Sequence, residues 1–422
     1  MNRRNFHFFF INICILLLAV AAARAEENTD LAFGMSAAFS GPAKELGINM
    51  RKGIEAYFRR VNAEGGINGR KLKLISVDDG YEPEYAASNV YKLINQKGIK
   101  AFIGNVGTPT AKTAMPISVE YGVLYFAPFT GSSMLRPYQN RDFLIKSRDT
   151  SQYLTNKYVL NYRASYAQET EQIIENLLNS GIKPYEIAIF TQDDDYGLDG
   201  YRGAVEALEK RGYDHSARIP FGTYQRNTLN VENGLLEILN SRREIRAVIV
   251  VGSYKPAAKF IKFAQKLIPN AVFVNVSFVG CTNLAESLEG LDSDVFVTQV
   301  VPHYNSDIEI VREYNRDLRK YFPGTAPDFV SLEGYVAAYI FVRGLENAKG
   351  DYSSDGIIAG IEGLDLTGLG IGIDRPLDEF DNQISDKVWL TKIDKGSCNE
   401  VSWKEFRQTV QDSAGARNNI GR

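Results

Sequence analysis

From residue 31 onward the chain alternates short apolar runs with longer segments whose apolar positions recur at helical spacing, and it does so in two successive rounds. No other feature restricts the fold as much. A strand followed by a helix that returns to start the next strand in the same sense builds a mostly parallel sheet with helices on its faces. In the first round the pattern predicts strands at 31–39, 71–78, 101–104 and 123–127. Between them lie helices at 48–62, from Pro83 to the stop at Gly98, and from about Lys112. A fresh set follows, with helices at 168–179, 199–211, 229–240 and 255–267 and strands at 186–191, 216–221, 246–251 and 271–275. The chain then returns through a strand at 295–301, helices at 306–321 and 329–347, irregular Gly-rich sequence from 349 to 385, a last strand at 387–391 and a polar tail. These late elements are too few for a third domain. They are expected to complete the two sheets already begun, so that the chain crosses between lobes more than once; about 400 residues is also more than a single core usually holds.

The N-terminus reads as a secretory signal: Arg3 and Arg4 precede an apolar run that ends in Ala23-Arg24-Ala25. A membrane anchor is the competing reading, but Asn12 interrupts the run and the small-residue ending favours cleavage. Cys14 sits in a poor lipoprotein context. Without this segment 45 basic and 51 acidic side chains remain, a net of about −6 with no long single-sign run, which offers nothing to nucleic acid or to an anionic membrane surface. Cys281 and Cys398 allow one disulfide or two separate thiols. With only His215 and His303 left besides, no Cys/His metal cluster is expected.

In open parallel sheets ligands bind beyond the carboxyl ends of the strands, so the candidates are the residues just after each strand. Gly104 to Thr110 joins a strand to a helix and can hold a carboxylate through backbone N–H groups and the hydroxyl of Thr108 or Thr110; an ordinary turn with a threonine cap is the alternative. The loop from Pro128 through Phe129, Thr130 and Gly131 to Ser133 repeats the situation on the next strand, which suggests a shared anion-binding corner. Asp193, Asp194 and Asp195 do not have calcium-loop spacing and read as turn and capping carboxylates, leaving Tyr196 as the functional candidate there. Tyr254 opens a helix after a buried strand and puts a second ring at the rim. Gly-x-Ser-x-Gly is absent, and so are G-x-G-x-x-G and a phosphate-loop lysine, which leaves no enzyme or cofactor signature.

The run Phe39-Ser40-Gly41-Pro42, the stretch VNAEGGINGRKLKLISVDD from Val61 to Asp79, and Glu333-Gly334-Tyr335 heading the long helix resemble the leucine/isoleucine/valine-binding proteins of ABC transporters. The resemblance implies a type I periplasmic-binding fold, an α/β architecture of two Rossmann-like lobes with parallel sheets joined by three crossovers. It implies a signal peptide at 1–25, a first lobe of 27–147 plus 302–376, a second of 148–301 plus 377–410, and a tail at 411–422. It also implies a periplasmic, monomeric protein that hands a small solute to a permease and needs no cofactor or metal. The family's carboxylate-binding loop falls on Gly107, Thr108 and Pro109, and the next contact loop on Phe129, Thr130 and Gly131. Second-lobe contacts fall on Tyr196 and Tyr254, and Phe329 stands where the family puts another ring. Phe39, Ser40 and Thr110 complete the set.

Two positions depart from the pattern. Where amino-acid binders carry an acid after the strand at 271–275, this chain has Val276-Ser277-Phe278, and Leu46 stands where they commonly carry an aromatic. An ammonium buried without a countercharge costs several kcal/mol, so a leucine-like ligand loses ground to a neutral or acidic solute, aromatic ones included. Gly80 and Gly107 occupy the places of a cysteine pair found in some members. Two rival readings stay open: a sensor of the same fold, and a secreted α/β hydrolase, which would need a nucleophile bonded to His215 or His303.

Overall fold

The computed structural model describes residues 30–136, 156–213, 219–291, 293–374 and 382–420. The expected signal with Cys14, His215, and parts of the irregular 349–385 segment lie outside the described residues.

Two sheets carry the fold. The first has strand order β2-β1-β3-β4-β5, all parallel, built from β1 (Leu31–Ala37), β2 (Leu72–Asp78), β3 (Ala101–Ile103), β4 (Leu124–Phe126) and β5 (Val159–Leu160). Order 2-1-3 places the topological switch between β1 and β3, where the loops diverge and leave a crevice. Helices α1 (Lys44–Ala63), α2 (Pro83–Lys97) and α3 (Thr108–Glu120) return the chain between strands. On one face Val90, Leu93, Phe102 and Tyr125 form a separate core under α2 and α3.

The other face is covered by α1 and by helices from late in the sequence, α9 (Glu309–Tyr321), α10 (Phe329–Asn347) and α11 (Ser354–Glu362). The crossing of α1 and α10 is close because both present glycine: a Cβ on Gly53 would lie 1.9 Å from the Ser331 carbonyl oxygen, and one on Gly334 would lie 2.4 Å from that of Met50. Alanine at either position would push the helices apart.

The second sheet has order β12-β11-β10-β9-β8-β6-β7, from β6 (Ile187–Gln192), β7 (Phe221–Tyr224), β8 (Ala247–Val251), β9 (Val272–Asn275), β10 (Val295–Gln299), β11 (Trp389–Asp394) and β12 (Ser397–Val401). Strands β6 to β10 pair in parallel, whereas β11 and β12 add as an antiparallel hairpin. Its helices are α4 (Tyr166–Asn179), α5 (Asp195–Glu209), α6 (Glu232–Asn240), α7 (Tyr254–Leu267) and α8 (Cys281–Ser287). Four of these strands are wholly buried, as runs such as AVIVV require of a sheet covered on both faces.

Two expectations need correction. The first sheet continues through Leu160, since β5 pairs with β4, so the first crossover falls at 161–165 and not at 147/148. A two-residue strand is too short to show periodicity. The polar tail begins instead as a strand and a helix, β12 and α12 (Trp403–Ile420), because Phe406 and Val410 supply a buried stripe that net polarity had masked. The disulfide left open forms: Cys281 at the start of α8 joins Cys398 in β12, across 117 residues of sequence.

Candidate functional site

Beyond β3 and β4 the backbone pairing continues into the loops, with the Gly107 N–H donating to the Phe129 carbonyl at 3.2 Å and the Phe129 N–H to that of Asn105 at 2.7 Å. This ties the two loops together and sets Thr108, first residue of α3, against Thr130. Their hydroxyls are 2.6 Å apart, and both side chains are wholly enclosed. Gly107, at φ 111°, must be glycine: a Cβ there would sit 2.3 Å from the Tyr81 ring. Tyr81 is itself held by Asp79, whose carboxylate accepts the Tyr81 N–H and the Ser36 hydroxyl, each at 2.8 Å. Burial pushes the Asp79 carboxyl up to about 7, against those hydrogen bonds.

The opposite wall starts at the crossover. Ser165 and Gln168 form a capping box that starts α4 at Tyr166, and the Tyr166 hydroxyl reaches Thr108 at 3.4 Å and Thr130 at 3.3 Å. Burial raises that hydroxyl to about 12, with Arg163 pulling the other way. Rings continue the wall: Tyr166 to Tyr196 at 5.1 Å, Tyr196 to Phe278 at 4.7 Å, Phe278 to Phe129 at 5.4 Å and to Tyr81 at 6.1 Å. Such spacing gives tilted aromatic contacts between side chains of both lobes.

Behind the rings lies a buried polar network. Glu169 accepts the Ser277 N–H at 2.7 Å, the Ser277 hydroxyl at 3.0 Å and the Thr298 hydroxyl, so both of its oxygens are engaged. Arg163 stacks 4.4 Å over the Phe129 ring, donates from Nη2 to Ser277, and holds Nε 3.3 Å from Glu333. Burial pushes the Glu333 carboxyl up to about 7, opposed by Arg163.

Polar pairs close the rim. Lys112 of α3 meets Asp195 of α5 at 2.8 Å; Arg226 and Asn227, after β7, both bond Glu82 at 2.8 Å; and the Ser133 N–H and hydroxyl donate to Asp199 at 2.7 and 2.6 Å. Asp194 caps α5 by accepting the Tyr196 N–H at 3.0 Å, the role read from its position.

The structure thus brings Gly107, Thr108, Phe129, Thr130, Tyr196, Ser277 and Phe278 together where the two lobes meet. Gly131 lies against Tyr166, where a Cβ would come within 2.7 Å of its ring, and Pro109 sits in the first turn of α3. Leu46 faces Gly280 across the cleft, 2.8 Å from where a Cβ would stand. Tyr254 is buried beside Glu45 of α1, and burial raises its hydroxyl to about 12. Phe39 and Ser40 lie at the rim, Phe39 under Arg51 at 4.4 Å and Ser40 exposed. Two residues are differently engaged. The Thr110 hydroxyl donates to the carbonyls of Val106 and Gly107, and the Phe329 ring packs on His303 and Tyr304 at 5.3 and 4.9 Å. Tyr81, Arg163 and Tyr166 were not singled out by sequence reasoning, nor was Gln192, which donates to the Tyr81 hydroxyl from the other lobe at 3.2 Å. Tyr81 follows β2 by three residues, so the strand-end rule could have found it, whereas Tyr166 follows only the two-residue β5.

His303 has Nε2 2.8 Å from the Cys398 carbonyl oxygen, away from these walls. Among the described residues no group of three or more His, Cys, Asp or Glu could hold a metal ion, and no helix is long and apolar enough to cross a membrane.

Comparison with known proteins places the same architecture elsewhere. The family model described as "Periplasmic binding protein" matches residues 30–397. A crystal structure described as "a possible leucine/isoleucine/valine-binding protein" from Rhodopirellula baltica SH 1 superposes with a TM-score of 0.82 at 42% identity, covering 90% of this chain and 97% of that one. The Leu/Ile/Val-binding protein of Escherichia coli K12 is 27% identical over 288 residues, 66% of this chain and 70% of its own. Leu/Ile/Val-binding protein homolog 7 of Brucella abortus is 23% identical over 355 residues, 80% and 82% of the two chains.

Proposed function

The chain belongs to the periplasmic binding protein family and has its type I, leucine-binding-protein-like fold, and on that premise we propose that it captures one small organic solute in the cleft, outside the cytoplasm, and delivers it to the permease of an ABC transporter. The observation that carries this reading is the meeting of Thr108, Thr130 and Phe129 of one lobe with Tyr166, Tyr196 and Phe278 of the other. Export through a signal cleaved after Ala25 is part of the same proposal.

The cycle is one of binding and shape change, with no covalent step. In the open form the hydroxyls of Thr108 and Thr130 present donors and acceptors on one wall. A docked solute gives the second lobe something to close upon, and closure sets the rim pairs Lys112–Asp195, Arg226–Glu82 and Ser133–Asp199. Desolvation of the enclosed hydrogen bonds contributes affinity, and the closed outline is what a permease can distinguish from the open one.

The solute is not a simple branched-chain amino acid. Ser277 offers no charge, and Glu169 behind it already accepts three hydrogen bonds, so an ammonium in the cleft would be desolvated without a committed partner. A thermal-shift screen of amino acids, aromatic and aliphatic carboxylates, amides and nucleobases tests the reading. At least one class should raise the melting temperature and leucine should not. A clear shift at micromolar leucine contradicts the ligand assignment, and no shift with any class contradicts the solute-binding reading.

A further inference from the structure

Arg163 belongs to neither lobe's sheet; it lies in the crossover between β5 and α4, wholly enclosed. Its backbone carbonyl accepts from Arg136 Nη2 at 2.8 Å, which fixes the segment. Of the guanidinium nitrogens, Nη2 is used by Ser277, and Nε lies 3.3 Å from Glu333 as an ion pair without hydrogen-bond geometry. Nη1 is buried and has no hydrogen-bond partner. A buried guanidinium N–H group without an acceptor carries its full desolvation penalty, so a site that keeps one is incomplete until an acceptor arrives.

The place of this group says what the acceptor is. The guanidinium stacks on Phe129 and bonds Ser277, residues of opposite walls, and the rings of Phe278, Tyr196 and Tyr166 continue in a chain from Phe129. We infer that the solute is an aromatic or branched aliphatic carboxylate without an α-ammonium group, and that its carboxylate seats on Arg163 Nη1 while its apolar body lies among those rings. Arginine satisfies a carboxylate with charge-assisted hydrogen bonds, and its stacking on Phe129 pre-sets the orientation. A cation is disfavoured at the same spot. The guanidinium itself repels a second positive group, Glu333 is already paired with that guanidinium, and Glu169 already accepts three hydrogen bonds.

This rests on the reading of the cleft as a solute site, and the test separates the two. Titration calorimetry on the full mature chain would compare matched pairs, phenylacetate against phenylacetamide and isovalerate against isovaleramide, with phenylalanine as the zwitterion. An acid of the set should bind, with its amide and the zwitterion weaker by about 100-fold, because a site built to pair a charged group rejects an analogue that lacks it. Arg163→Gln should remove acid binding to a similar extent, and Arg163→Lys should restore part of it. Should Arg163→Gln fail to fold, the acid-to-amide ratio on the unaltered chain still decides. Equal binding of acid and amide, acid binding unchanged in Arg163→Gln, or binding confined to phenylalanine or to uncharged solutes overturns the assignment while leaving a solute-binding cleft intact. Absence of binding by every class in the wider screen overturns both.

Discussion

The two walls of the cleft are built in opposite ways. On the first lobe the contact groups come from two adjacent loops, and Thr108 and Thr130 bond chiefly to each other and to Tyr166. On the second lobe the wall at Ser277–Gly280 is strapped from far away, to Glu169 of α4, which the Thr298 hydroxyl of β10 also bonds, to Arg163 of the crossover and, through the adjacent Cys281, to Cys398 of β12. One wall is local and free to present hydroxyls; the other is a structural knot whose polar groups are mostly spent on holding position. A site can therefore be half legible from neighbouring residues and half dependent on partners more than a hundred positions away.

Breaking the knot should cost fold stability. Loss of the disulfide, by Cys281→Ser with Cys398→Ser, frees a loop of 117 residues and should lower unfolding stability in urea by about 4 kcal/mol. Glu169→Ala leaves the Ser277 N–H and two hydroxyls without their acceptor and should cost about 3 kcal/mol in the same measurement. If either variant is as stable as the parent, the second wall is not strapped in the manner described.

The first wall should behave otherwise. Thr108→Ala with Thr130→Ala removes both members of a mutual pair, so stability without solute should change little, while calorimetric affinity for whichever solute binds should fall by about 2 kcal/mol. A large loss of stability would make the two walls alike.

Glu333 sharpens the contrast through pH. Its folded pKa, about 7, is raised above the ordinary carboxyl value, so the folded state holds the proton where the unfolded state has released it. The stability this provides is full below the unfolded carboxyl range and is lost as pH rises towards 7. Glu333→Gln should flatten the decline in melting temperature across that window, a difference on the order of 1 kcal/mol. An unaltered slope would assign the titration elsewhere.

The smallest effect is expected at the rim that joins the walls. Arg226→Ala removes a half-exposed pair with Glu82 and should weaken solute binding by about 0.5 kcal/mol, with the difference vanishing at high salt. A larger, salt-insensitive loss would move Arg226 from the rim into the solute's own contacts.

What could be read in the sequence follows the same division. Alternation of strand and helix exposed the two rounds of βα units, and the strand-end rule reached Thr108, Phe129, Thr130 and Tyr196 because each sits beside its strand. Arg163 and Glu169 escaped it. β5 is two residues long and gives no periodic signal, and a buried acid within the first turn of an amphipathic helix looks like any other. The pair Cys281–Cys398 could not be decided without knowing that β12 folds back beside α8. Phe329 shows what position alone leaves out, its partners: the ring at the head of α10 packs against His303 and Tyr304.

Closure of one lobe on the other around a solute can be measured as a distance. Spin labels at the exposed positions Tyr85 in α2 and Leu236 in α6, one on each lobe, would report the inter-lobe separation by pulsed electron resonance. A broad distribution without solute that narrows to the separation of the closed form when solute is added is the predicted result. A distribution that is the same with and without a bound solute would contradict the account.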